Sequence, residues 1–133
     1  MTDPHASYEL FEELGRGEYT VVYRAHDLAL GRDVAIKQLS EAALTDPRRR
    51  ERFLKEAQFL AQHEHANILR IHSVEPQRGW IVMELMRGTL EGAIATQAMP
   101  PATVRSILRQ LLPALDFLHS KNRIHGAIRP SNV

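Results

Sequence analysis

Two glycines near the start of the chain, Gly15 and Gly17, have the spacing of a loop that binds phosphate. Glycine has no Cβ, so the backbone N–H groups beside it can approach phosphate oxygens closely. The same Gly-x-Gly spacing also occurs in the turns of ordinary hairpins. The pair therefore indicates a phosphate-binding loop only in combination with other signals.

A lysine that ends an apolar stretch is the second candidate for chemistry. Lys37 follows three apolar residues of a predicted strand, and its ammonium group could neutralise phosphate charge. A lone lysine on a strand is usually a surface residue. On the helix that follows, Glu56 shares a face with Phe53 and Leu60, because these residues are three and four positions apart.

Four stretches of the chain resemble the motifs of the serine/threonine protein-kinase superfamily in its bacterial form. Leu14–Tyr23 is similar to the glycine-rich loop, G-x-G-x-x-G-x-V, and Val34–Lys37 matches the V-A-I-K strand. Trp80–Gly88 resembles the last strand of the small lobe and the hinge, and His125–Val133 resembles the catalytic loop, H-R-D-L-K-P-x-N. The four motifs occur in kinase order, and the resemblance covers residues 8–133.

The resemblance implies a site for ATP on the small lobe. It implies that Lys37 holds the α- and β-phosphates and is itself held by Glu56, whereas the alternative is an exposed pair between Glu56 and Arg52. Val22 and Ala35 would cover the adenine, and the hinge would offer backbone groups to its edge. The implied nucleotide-binding residues are Leu14, Gly15, Gly17, Val22, Ala35, Lys37, Glu56, Met83, Glu84 and Met86.

The catalytic loop departs from the family pattern at the positions that perform the chemistry. Ala127 stands where the family has the Asp that accepts the proton of the substrate hydroxyl, and Gly126 replaces the preceding Arg. Arg129 stands at a lysine position that contacts the transferred phosphate, and Asn132 matches a metal-binding Asn. His125 keeps the residue type that packs under the Phe of the D-F-G segment in the family. We expect no intact catalytic set and no metal site here.

The nucleotide site is also expected to be incomplete. Thr20 replaces the third glycine of the loop, and the sequence stops at Val133, before the D-F-G segment and the residue that forms the floor of the adenine site. We therefore expect ATP to bind weakly and Asn132 not to hold magnesium.

Periodicity predicts an α+β fold. The expected elements are strands Tyr8–Gly15, Thr20–His26, Arg32–Leu39, Asn67–Val74 and Trp80–Leu85, a helix that begins at Asp46-Pro47, and helices Leu90–Thr96 and Thr103–Ser120. The first part would be a kinase-like small lobe, with a five-stranded antiparallel sheet and one packed helix, and the last two helices would begin the large lobe. The expected divisions are a tail at 1–7, the small lobe at 8–86, and the hinge with a partial large lobe at 87–133.

Composition excludes several classes of function. With 17 basic and 16 acidic residues, the net charge is +1, so we expect no nucleic-acid or membrane partner. The basic run Arg48–Arg50, together with Arg52, is interpreted as a solvated helix face rather than an anion site. The chain has no cysteine, which excludes disulfides and thiolate chemistry. The polar N-terminus lacks a hydrophobic signal core, so a cytoplasmic location is expected.

Three functions remain open. The first is a pseudokinase that binds ATP weakly or not at all and acts through protein contacts. The others are a truncated piece of an active kinase and an interaction scaffold without nucleotide. The helix Thr103–Ser120 carries a broad apolar face, and we expect it to be covered by a protein partner or by self-association.

Overall fold

The computed structural model describes residues 7–133. The predicted tail lies, apart from Ser7, outside this range. The elements within the range are β1 (Tyr8–Arg16), β2 (Thr20–Asp27), β3 (Arg32–Leu39), α1 (Glu41–Leu44), α2 (Pro47–Gln62), β4 (Ile71–Glu75), β5 (Trp80–Glu84), α3 (Leu90–Thr96), α4 (Pro101–Ser120) and a 3-10 turn (Pro130–Asn132).

The five strands form one antiparallel sheet in the order β1-β2-β3-β5-β4. Successive side chains of a strand point to opposite faces, so each face of the sheet has its own core. On one face, Ala35 and Leu39 of β3 pack with Phe53 and Ala57 of α2. The other face buries a second cluster, made of Ala25, Val34, Ile36 and Val82. The predicted fold class, an antiparallel sheet of five strands with a packed helix, is confirmed.

The start of α2 follows from its first residues. The Asp46 side chain accepts a hydrogen bond from the Arg48 N–H at 3.0 Å, and Pro47 occupies the first helical position. Both are common at helix N-termini, because the first backbone N–H groups have no partner within the helix. The helix packs through Phe53 and Ala57, its two buried residues.

The chain divides into two compact units. One comprises the described residues up to Glu64 together with Leu69–Leu85, and the other comprises His65–Ile68 and Met86–Val133. The sheet, α1 and α2 belong to the first unit. The second contains α3, α4 and the 3-10 turn, and it also takes in the short stretch between α2 and β4.

That short stretch corrects the predicted strand Asn67–Val74, which begins only at Ile71. Asn67 is not in a strand: its side-chain amide donates a hydrogen bond to the carbonyl of Gln110 in α4 at 2.9 Å. The N–H of Ile68 donates to the carbonyl of His65 in a turn at 3.1 Å. These contacts lie within the second unit, and the local sequence pattern does not reveal them.

Two helices differ from the prediction. The structure adds α1, a helix of one turn whose N-cap is Ser40, and Ser40 Oγ accepts the N–H of Ala43 at 3.2 Å. Four residues are too few for hydrophobic periodicity to register. The last helix begins at Pro101 rather than at Thr103, because a proline is well accommodated at the first helical position.

Gly79, in the turn between β4 and β5, packs closely against Leu39 and Leu44, and a substitution there tests this contact. Its φ is +64°, and a Cβ there would lie 3.2 Å from the Leu39 Cβ and 2.8 Å from a Leu44 methyl carbon. Gly31 has the same φ of +64° but open space around it. We expect Gly31→Ala to lower the free energy of unfolding by about 1–2 kcal/mol through backbone strain. Gly79→Ala should cost about 1–3 kcal/mol more, because Leu39 and Leu44 must move.

Urea unfolding of the two variants measures this difference. Equal losses in the two variants would contradict the close packing of Gly79 against Leu39.

Candidate functional site

Residues paired across the strands bring most of the predicted site onto one face of the sheet. Gly15 pairs with Val22, Val22 with Lys37, and Lys37 with Ile81. Directly opposed residues of antiparallel strands project from the same face. These four residues, here called the Lys37 row, therefore lie side by side across four strands.

A second row runs parallel to the first and is here called the Ala35 row. Ala35 pairs with Arg24 on one side and with Met83 on the other. Ala35 and Met83 are nearly buried in the core that also contains α2, so both rows lie on the α2 face of the sheet. This face thus carries the apolar side chains of Val22, Ala35 and Met83 beside the cation of Lys37.

Charged groups border the Ala35 row. The Nε of Arg24 donates to Glu12 Oε1 at 2.7 Å, and its guanidinium lies 4.5 Å from the centre of the Phe11 ring. This hydrogen bond holds the pKa of Glu12 below its ordinary value and raises that of Arg24. Both groups are therefore charged at neutral pH, and their charges offset each other.

The loop between β1 and β2 consists of Gly17, Glu18 and Tyr19 and is here called the loop tip. The Gly17 N–H donates to the Thr20 carbonyl at 2.8 Å and closes the hairpin. Among the described glycines, only Gly31, Gly79 and Gly126 have positive φ. The backbone conformation at Gly15 and Gly17 would therefore also suit other residue types. A Cβ on Gly15 would meet no atom within 4 Å. The chain's own packing therefore does not explain a glycine at position 15.

The expected ion pair between Lys37 and Glu56 is not formed. Within residues 7–133, the structure has no contact of 4.0 Å or less between the Lys37 ammonium and any carboxylate, and Glu56 is exposed. The alternative pair of Glu56 with Arg52 is absent from the same range. The physical reason is that Phe53 and Ala57 set the rotation of α2, which leaves Glu56 on the flank of the helix. That Glu56 shares a helical face with Phe53 was therefore not enough to predict an ion pair between Glu56 and Lys37.

The hinge residues fall in different units. In the first unit, Glu84 is tied to Arg70 twice: its N–H donates to the Arg70 carbonyl at 3.0 Å, and its Oε1 accepts the Arg70 N–H at 2.9 Å. Its N–H is therefore already engaged within the protein. Met86 belongs to the second unit, and its side chain is 54% exposed. Leu14, on β1, is 49% exposed.

The segment from His125 to Val133, in the second unit, is held by hydrogen bonds around an exposed alanine. The Ala127 N–H donates to His125 Nδ1 at 3.1 Å, and Asn132 Nδ2 donates to the Ala127 carbonyl at 2.8 Å. Gly126 has φ +78°, a conformation that glycine adopts at little cost. The methyl group of Ala127 can neither accept a proton nor orient a hydroxyl group.

The arginine run at the start of α2 is not merely a solvated helix face. The Arg49 guanidinium lies 3.5 Å from the centre of the Tyr19 ring, and Arg50 donates to the Pro76 carbonyl at 3.0 Å. Arg48 and Arg52 fit the interpretation made from the sequence, since both are exposed. No local pattern in the sequence indicates the contact between Arg49 and Tyr19, because the two residues lie 30 positions apart.

Comparison with known proteins decides the family. The protein kinase domain model matches residues 8–133. The chain belongs to the protein kinase family. It is 37% identical to the serine/threonine-protein kinase PknB of Mycobacterium leprae, over 99% of this chain and 23% of that protein. It is 33% identical to the serine/threonine-protein kinase pak-2 of Caenorhabditis elegans, over 99% of this chain and 25% of that protein. With PAK 1 of Mus musculus the identity is 32%, over 98% of this chain and 24% of that protein.

Membership of the kinase family confirms the resemblance drawn from the four motifs. Kinases of this family use ATP and magnesium, and the chain spans about a quarter of the length of the curated relatives that it matches.

Within residues 7–133, no group of three His, Asp or Glu side chains could hold a metal ion. No helix in the same range is long and apolar enough to cross a membrane. The nucleotide-binding roles of the individual residues stay a prediction.

Proposed function

We propose that this chain is a degenerate kinase domain, a pseudokinase, that transfers no phosphate, binds ATP weakly and acts through protein contacts. One observation carries the proposal: Ala127 occupies the position of the proton acceptor, and its exposed methyl group has no acceptor atom. Incubation with magnesium, radiolabelled ATP and a generic protein substrate tests it. The expected result is no transfer above background.

Support for weak ATP binding comes from the two rows on the sheet. Gly15, Val22 and Lys37 adjoin each other in one row, and Ala35 pairs with Met83 in the next. This arrangement supports the proposal, because apolar side chains that could contact a base lie beside a cation and a loop that could bind phosphate. Two features reduce the expected affinity. Lys37 has no carboxylate partner within the described part of the chain, and Thr20 adds a side chain where the family has a glycine.

The competing proposal is a scaffold that binds no nucleotide at all. The separation of Glu56 from Lys37 favours it, because a lysine that no carboxylate fixes is free to remain in solvent. A calorimetric titration with ATP separates the two proposals. The cytoplasmic location expected from the sequence stays a prediction, as does the role of Asn132 towards magnesium.

We place the protein contact on α4. Val104, Leu108 and Leu112 follow each other at intervals of four residues and are 41%, 47% and 60% exposed, whereas Leu118 further along the helix is only 8% exposed. These three residues form the outer stripe of α4. Covering a large apolar side chain completely is worth about 1.5–3 kcal/mol, so a partner gains free energy by packing here. The expected partner is a second copy of this chain.

Light scattering at micromolar concentration checks this prediction. Leu108→Asp should lower the apparent mass towards that of a monomer. Ser106→Asp is the matched control: it adds the same charge two residues away, about 200° around the helix, and should leave the mass unchanged. A wild-type chain that is already monomeric would contradict self-association, and the outer stripe would then be left for a different protein.

A further inference from the structure

The loop tip is attached at Tyr19 to the rest of the first unit. The Ser40 N–H donates to the Tyr19 carbonyl at 2.8 Å, which fixes the backbone. The Tyr19 ring is partly buried against the core on the α2 face of the sheet. The Arg49 guanidinium lies 3.5 Å from the centre of that ring. Three independent contacts thus converge on one residue of the loop.

Arg49 is itself held in place. Its Nε lies 3.1 Å from Asp46 Oδ2, and Asp46 also caps α2 by accepting the Arg48 N–H at 3.0 Å. The guanidinium is therefore bound on one side by a carboxylate that belongs to the helix start and packs on the other side against an aromatic face. A cation over an aromatic ring at such a distance is attracted by the negative charge of the ring face.

The loop tip also has free donors. Within the described part of the chain, the N–H groups of Glu18 and Tyr19 have no backbone or side-chain acceptor, whereas the Gly17 N–H is used to close the hairpin. Successive free N–H groups are the donors that bind phosphate oxygens in loops of this kind. They bind best when the loop is already ordered, because ordering it on binding costs conformational entropy.

We propose that Arg49 is a positioning residue for the loop tip: it holds Tyr19 so that the N–H groups of Glu18 and Tyr19 are ordered before phosphate arrives. Arg49 touches no nucleotide in this arrangement and acts through Tyr19. The statement about phosphate rests on the proposed weak ATP binding, whereas the ordering of the loop tip does not.

The charge state of Tyr19 suits this role. The neighbouring Glu18 carboxylate, and next the burial of the phenol, raise the pKa of Tyr19 above its ordinary value. The ring is therefore neutral at physiological pH, and its contact with Arg49 is a cation–π contact rather than an ion pair. Tyr19→Phe should consequently keep the contact, and Tyr19→Leu should remove it.

Hydrogen exchange of the backbone amides tests the ordering without any nucleotide. Arg49→Met and Tyr19→Leu should each speed exchange at Gly17 and Ser40, whose N–H groups are bound to the Thr20 and Tyr19 carbonyls, by about two- to fivefold, the size of a partly exposed cation–π contact. Arg48→Met is the matched control: it removes the same charge from the same turn of α2, but the Arg48 side chain is exposed. The double variant Arg49→Met/Tyr19→Leu should exchange no faster than either single variant. Unchanged exchange in Arg49→Met overturns the proposal.

Binding measurements test the consequence for phosphate. Arg49→Met should weaken ATP binding by about two- to fivefold and leave adenosine binding unchanged, because only the phosphates reach the loop tip. Arg49→Lys should recover part of the loss. Equal losses for ATP and adenosine would show a general structural role and overturn the link to phosphate. A wild-type chain that binds no ATP would overturn both that link and the proposed ATP binding, and the exchange comparison would still decide whether Arg49 orders the loop tip.

Discussion

Supplied with magnesium, radiolabelled ATP and a generic protein substrate, this chain is expected to transfer no phosphate above background. A positioned base contributes about 10²–10⁴-fold to the rate of such a reaction, and position 127 offers only a methyl group. The neighbouring side chains do not replace it. Asn132 is bound to the Ala127 carbonyl through its amide nitrogen, and the His125 ring nitrogen accepts the Ala127 N–H.

Two variants sharpen this assay. Lys37→Ala distinguishes transfer by this chain from contamination, because any genuine reaction needs a cation at the phosphates. Transfer above background that disappears in Lys37→Ala would refute the prediction. Ala127→Asp is the matched variant: residue 127 is exposed, so the carboxylate fits without disturbing the fold. Transfer that appears only in Ala127→Asp would assign the loss to this one position.

The second large effect concerns the affinity for ATP. We expect a dissociation constant no better than roughly high micromolar, which corresponds to several kcal/mol less than the binding free energy of a nanomolar site. Within the described residues, no carboxylate fixes the Lys37 ammonium. The Lys37 side chain must therefore become ordered when ATP binds, and this ordering costs binding free energy. Isothermal titration calorimetry with ATP and magnesium gives the constant directly. A low-micromolar value would contradict the prediction.

The role of Glu56 can be separated in the same titration. Because Glu56 is exposed and lies away from Lys37, Glu56→Gln should change the ATP affinity by less than about twofold, as for other exposed charges. Lys37→Met should lower the affinity for ATP to that for adenosine and leave the affinity for adenosine unchanged. A large loss in Glu56→Gln would mean that nucleotide draws Glu56 to Lys37 and that α2 rotates on binding.

The sequence by itself determined the family and the order of the strands and longer helices. The strands β1, β2, β3 and β5 were predicted within one or two residues at their ends, because alternation and turn residues are local signals. The start of α2 was predicted for the same reason, since Asp46 and Pro47 cap a helix through their own backbone. The absence of a proton acceptor at Ala127 also needs no structure, because it is a matter of residue type.

Only the tertiary structure decided how these parts face each other. Phe53 and Glu56 are three positions apart, about 60° around the helix, so burying Phe53 leaves open whether Glu56 points at Lys37 or at solvent. The burial of Phe53 and Ala57 decided that question. Likewise, the contact between Arg49 and Tyr19 and the hydrogen bond from Asn67 to Gln110 each join residues that are distant in sequence. Such contacts arise from packing, which periodicity along the chain does not encode.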